Sequence, residues 1–139
     1  MGSCWTKFFN SDQEDQGEVQ NVDSKNVHLI TSMETWEAKL LEATKDGKIV
    51  IANFCAPWCR PSKSMTAGYC ELADKYTSMV FLAIDVDELA ELSTSWEIKA
   101  TPTFVFLKDG RQLDKLVGAN KSDLQQKLAA MEDVTKSQS

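Results

Sequence analysis

The sequence predicts an α/β sandwich: a central mixed β-sheet flanked by helices on both faces. Apolar runs that suit strands alternate with segments of helical spacing. Two of those runs, 49–54 and 79–84, are nearly continuous, as strands covered on both faces are. An Asp109-Gly110 pair between two later apolar segments marks a hairpin, which adds an antiparallel edge pair.

Taken in order, residues 27–30 read as a short strand. Thr31-Ser32-Met33-Glu34 then matches a capping box, with Thr31 as N-cap and Glu34 reaching back. Met33, Trp36, Leu40 and Leu41 follow at helical spacing, and Asp46-Gly47 ends that helix. The buried strand 49–54 comes next, and a second helix runs from residue 59 to about Tyr76. A strand over 79–84 leads to a third helix over 87–96. Segments 103–107 and 112–117 flank the turn Lys108-Asp109-Gly110-Arg111. The last helix, 122–131, carries Leu124, Leu128 and Met131 on one face. Its βαβ units imply parallel strands with right-handed crossovers. Residues 1–25 are polar and read as a flexible leader, 26–132 as the folded domain and 133–139 as a disordered polar tail.

A length of 139 residues suits one domain with a single core. With 21 acidic and 15 basic residues the net charge is −6, which argues against a nucleic-acid partner. No apolar run approaches the roughly 18 residues of a membrane span, and no secretory signal is visible. Four cysteines at irregular spacing and one histidine make a zinc site unexpected, so no metal and no resident cofactor are expected. A reducing, cytoplasmic setting with one reactive thiol fits this better than a disulfide-stapled secreted domain.

Trp58-Cys59-Arg60-Pro61-Ser62 stands where a buried strand turns into a helix. Unpaired N–H groups and the positive end of the helix dipole gather there and favour a thiolate at Cys59. Pro61 has no N–H to lose and fits the first helical turn. Arg60 and Lys63 add positive charge expected to lower the thiol pKa further, and Trp58 offers a flat apolar surface beside the sulfur. The competing reading of Cys59 is a buried, inert cysteine.

The stretch Trp58-Cys59-Arg60-Pro61-Ser62-Lys63 resembles the W-C-G-P-C-K active site of thioredoxins. Ala100-Thr101-Pro102-Thr103-Phe104 resembles that family's cis-proline loop, and Asp109-Gly110 and Val117-Gly118-Ala119 its later hairpin and glycine. Asp85-Val86-Asp87-Glu88 and the acidic balance are most similar to plant h-type thioredoxins. The resemblance covers residues 27–131 and implies the thioredoxin fold. It also implies that Cys59 attacks a substrate disulfide and that Thr101 and cis-Pro102 line the peptide groove. Trp58, Arg60, Pro61, Ala100 and Gly118 would complete the substrate-binding surface.

Several positions depart from the family pattern. Ser62 replaces the resolving cysteine. Asn53 stands where many thioredoxins bury an aspartate that accepts that cysteine's proton, and an asparagine cannot accept it. Ala83 replaces a common lysine, and Arg60 the usual glycine. A serine hydroxyl does not displace sulfur from a disulfide at neutral pH, but it can donate a hydrogen bond to the Cys59 thiolate. After attack the mixed disulfide would have to be released by another thiol: one in the substrate, glutathione or glutaredoxin, or another cysteine of this chain. Cys55 reads as a small core or rim residue. Cys70 lies ~16 Å along the helix from Cys59, too far for an intrachain bond, and packs on the inner face with Tyr69 and Leu72 nearby. Cys4, in the leader, is a candidate resolving thiol.

Met1-Gly2-Ser3-Cys4-Trp5-Thr6 also matches an N-myristoylation pattern at Gly2, with Cys4 as a palmitoylation candidate. Two acyl chains would give stable peripheral membrane anchoring, one only marginal binding. Three functions follow. The first is an oxidoreductase or disulfide isomerase on protein disulfides, working through Cys59 alone. The second is an h-type dithiol reductase whose resolving cysteine was mutated to Ser62. The third is a thioredoxin-like module that binds partners through the groove without turnover.

Overall fold

The computed structural model describes residues 26–137, with side chains described through residue 133. Strand β1 (Val27–Ile30) leads into helix α1 (Met33–Asp46). The N-cap is Ser32 and not Thr31: its extended backbone lets the hydroxyl accept from the Thr35 N–H at 3.1 Å. The cap therefore lies one residue later than the capping box placed it, and Glu34 falls in the first turn, where its charge suits the helix dipole. Gly47 closes the helix at φ 66, a conformation that glycine adopts without a Cβ clash.

Strand β2 (Val50–Cys55) is buried at every position, matching a sequence that is apolar except at Asn53. The long helix expected after it is two helices, α2 (Arg60–Ser64) and α3 (Thr66–Lys75), meeting at Met65. Strand β3 (Val80–Asp85) is followed by turns and a short helix α4 (Ala90–Ser95). Strands β4 (Thr103–Lys108) and β5 (Arg111–Val117) form the hairpin, with Asp109 at φ 55 and Gly110 at φ 78. Positive φ at both central residues is what a two-residue hairpin turn requires. Helix α5 (Lys121–Ser137) continues past the expected end at Met131, and its backbone is helical through the first residues of the polar 133–139 segment.

The strands form one five-stranded sheet in the order β1-β3-β2-β4-β5. Strands β1 and β2 both run parallel to β3, whereas β4 is antiparallel to β2 and to β5. Only the first two crossovers are thus of the βαβ kind. Helix α4 has six residues, and at 1.5 Å per residue it spans about 9 Å, too short to carry the chain back across the sheet. Strand β4 therefore starts at the edge where β2 ends, with Thr103 opposite Phe54.

Alternate residues of β2 divide the core in two. Ile51 and Cys55 face Tyr69, Leu72, Phe104 and Leu124, under α3 and α5. Ala52 and Phe54 face Trp36, Leu82, Leu92 and Val105, under α1 and α4. Both faces of the sheet are covered, which leaves the rim at the C-terminal ends of β2 and β3 as the open end of the central strands.

Candidate active site

Strand β2 runs straight into the loop 56–59, where the Cys59 N–H donates to the Ala56 carbonyl at 3.2 Å. Cys59 is the N-cap residue of α2, with extended backbone at φ −94 and ψ 114, and Pro61 occupies the first turn. Its sulfur is part-buried and lies 3.3 Å from the Thr101 carbonyl oxygen, to which the protonated thiol donates. The Thr101-Pro102 bond is cis. The Gly118 N–H holds the Pro102 carbonyl at 2.9 Å, so the end of β5 fixes the loop that faces the sulfur. Gly118 sits at φ 111, where an L side chain would be strained.

Ser62 lies beneath the sulfur and is 1 % exposed. Its Oγ accepts from the Ala56 N–H at 3.4 Å, which leaves the hydroxyl proton for Cys59. Burial pushes the Cys59 thiol up. Hydrogen bonds from the Thr101 side chain and from the Ser62 N–H and hydroxyl pull it further down, and the net result is a pKa below the ordinary thiol value. The carbonyl contact of Thr101 serves only the protonated form, so ionisation exchanges it for these donors. Arg60 and Lys63, expected to lower the thiol pKa further, are not among the leading causes. Arg60 is exposed.

The other cysteines differ sharply. Cys55 is wholly buried and donates to the Ile84 carbonyl, and burial, with Asp85 beside it, pushes its thiol far up. Cys70 is buried on the inner face of α3 with Tyr69 and Leu72. Gly2 and Cys4 lie outside the described residues. Among the described residues no cluster of His, Cys, Asp and Glu could hold a metal ion, and no helix is long and apolar enough to cross a membrane.

Around the sulfur the surface is apolar and open. Trp58 is 65 % exposed, and its indole N–H donates to Asp87 at 2.7 Å. Ala100 is exposed and Pro102 buried. Val117, 59 % exposed beside Gly118, joins this rim, although it reads in the sequence only as the end of a strand. Asp87 and the Ala56 N–H were likewise not legible as parts of the site. Asp87 stands in an acidic run with nothing local to tie it to Trp58, and a backbone donor leaves no mark in a sequence.

A thiol of lowered pKa at a strand-to-helix turn, faced by a cis-proline loop, is equipped to exchange with disulfides. The thioredoxin family model matches residues 27–130. The chain belongs to the thioredoxin family. It is 53 % identical over 133 residues to a thioredoxin H-type of Populus jackii, covering 96 % of this chain and 95 % of that one. It is also 58 % identical over 104 residues to the thioredoxin-like protein CXXS2 of Arabidopsis thaliana, covering 75 % of this chain and 68 % of that one. The crystal structure of a poplar wild-type thioredoxin h superposes with a TM-score of 0.77 at 61 % identity, covering 78 % of this chain and 97 % of that one. Its five-stranded mixed sheet with helices on both faces is the thioredoxin fold, and its homologues are plant h-type thioredoxins. Thioredoxins are thiol–disulfide oxidoreductases that act on protein disulfides, and that general activity extends to this chain.

Proposed function

We propose that this thioredoxin works as a monothiol oxidoreductase and disulfide isomerase through Cys59. The observation that carries the reading is Ser62. A buried hydroxyl, held by the Ala56 N–H, fills the place beside the nucleophile where a second thiol would release a trapped partner. It can stabilise a thiolate but cannot displace it from a disulfide. Cys55, the nearest other cysteine in the chain, is fully buried and its thiol is pushed far up, so it supplies no thiolate in its place.

The Cys59 thiolate attacks one sulfur of a substrate disulfide. A bond forms to that sulfur, the old S–S bond breaks, and the departing thiolate takes a proton from solvent. A second thiol then attacks the mixed disulfide and restores the Cys59 thiolate. When that thiol belongs to the substrate, the net reaction is isomerisation. When it is glutathione, one substrate sulfur is left joined to glutathione, and a second glutathione frees it as a thiol and leaves as oxidised glutathione.

Insulin reduction driven by thioredoxin reductase tests the reading against reactivation of scrambled ribonuclease in glutathione buffer. The expected result is negligible turnover in the first assay and activity in the second that Cys59→Ser abolishes. Ser62→Cys should gain the first activity. Insulin reduction at the rate of a dithiol thioredoxin would sink the proposal.

A further inference from the structure

Arg60 is the residue of the site whose charge the fold does not use. It is the first residue of α2, in a turn that contains no acidic residue. A cation there opposes the helix dipole, which favours negative charge at that end. Its guanidinium is exposed and forms no ion pair with another described residue. Nor is it a leading cause of the lowered Cys59 pKa. Of the charged residues around the site, Asp87 receives the Trp58 indole, and Lys63 has a contact of its own. A locally unfavourable choice without a structural return marks a functional position. Arg60 adjoins the attacking sulfur, opposite no fixed anion, so the missing partner is a group carried in by the substrate.

We propose that Arg60 is a specificity-determining residue. It selects disulfides that carry a carboxylate close to the attacked sulfur, of which a glutathione mixed disulfide is the simplest. This rests on the reading that Cys59 attacks disulfides, and it names the substrate class. The planar guanidinium can grip a carboxylate through two N–H groups, and with the anion seated the glutathione sulfur is the one presented to Cys59. Cys59 then bonds to the glutathione sulfur, the protein thiolate leaves and takes a proton, and a second glutathione releases Cys59 as oxidised glutathione. The net exchange turns the glutathionylated protein and one glutathione into the protein thiol and oxidised glutathione. The incoming thiol is the reductant, and the glutathione already in the mixed disulfide leaves at the oxidation level it had.

The test compares oxidised glutathione, an anionic disulfide, with hydroxyethyl disulfide, a neutral one. Formation of the Cys59 mixed disulfide in the full chain is followed by quenching and mass spectrometry of the Cys59 peptide. The readout is the ratio of the two second-order rate constants, in which any change of Cys59 ionisation cancels. In Arg60→Gln the ratio should fall about three- to fivefold, the worth of one exposed ion pair. Arg60→Lys should restore part of it, and 1 M salt should bring wild type towards the glutamine variant, because the Debye length there is about 3 Å. A ratio unchanged in Arg60→Gln, or one indifferent to salt, overturns the proposal. Failure of Cys59 to react with either disulfide would instead strike the underlying reading.

Discussion

The Trp58 indole nitrogen lies 2.7 Å from an Asp87 carboxylate oxygen, a hydrogen bond that ties the rim of the site to the turn after β3. The two residues are 29 positions apart and both exposed. The bond fixes the orientation of a large apolar side chain that has little packing to hold it. Asp87→Ala should therefore cost below about 1 kcal/mol of stability, as exposed polar contacts do. It should lower kcat/KM severalfold for a protein disulfide, whose chain would lie across the exposed indole, and less for a small disulfide. A urea titration together with the two rate measurements checks this. Equal loss on both substrates would show that Asp87 acts on the sulfur and not on the rim.

Ser62 and the Thr101 side chain hold the Cys59 pKa below the ordinary thiol value against the upward push of burial. Alkylation by iodoacetamide follows the thiolate fraction, so its rate should reach half-maximum at a lower pH than that of an unfolded Cys59 peptide measured alongside. Ser62→Ala removes one of the lowering donors and leaves burial in place. The profile should move to higher pH, with slower alkylation at pH 7. An unreactive Cys59 in the wild type would favour a binding module over an enzyme.

How much of this was legible beforehand follows from which interactions are local. Strand β2 announced itself by five apolar residues around a single asparagine, and the hairpin by Asp109-Gly110, because both depend on a few adjacent residues. The Thr101-Pro102 loop and Cys59 were readable for the same reason. The break at Met65 and the antiparallel entry of β4 were not, since both depend on how finished elements meet. Charge was the misleading signal at the site. Arg60 and Lys63 adjoin Cys59 in the chain, yet the donors that lower the thiol include Thr101, 42 positions away.

His28, on edge strand β1, has its pKa lowered by burial first and by the Lys39 charge second, with Glu42 opposing. A lowered folded pKa means that the folded state prefers the neutral ring. Above the unfolded pKa of about 6.5 both states are neutral and the full stability is present. As pH falls below that value the unfolded chain takes up the proton first. Stability is lost until pH passes the lower folded pKa. His28→Gln should flatten this part of the pH profile, so that variant and wild type diverge between pH 7 and pH 5. Urea midpoints across that window measure it, and parallel curves would remove His28 as the cause.

Asn53 buries a side-chain oxygen with no partner among the described residues, at 1 % exposure, next to Phe104 on one strand and Ala83 on the other. An unmatched buried acceptor costs about 1–3 kcal/mol, so Asn53→Ala, which removes it without adding volume and leaves only a small cavity, should be neutral or mildly stabilising. Asn53→Asp should do the opposite. Burial of the new carboxyl disfavours its charged form, so its folded pKa lies above the unfolded value of about 3.9. Below that pH both states are protonated and the variant is least impaired. Above it the unfolded chain ionises first, and the deficit against wild type grows until the folded pKa is passed. Urea midpoints at pH 4 and pH 7 should show a wider gap at pH 7. A gap that does not change with pH would mean that water reaches the Asn53 oxygen and hydrates the carboxylate in the folded state.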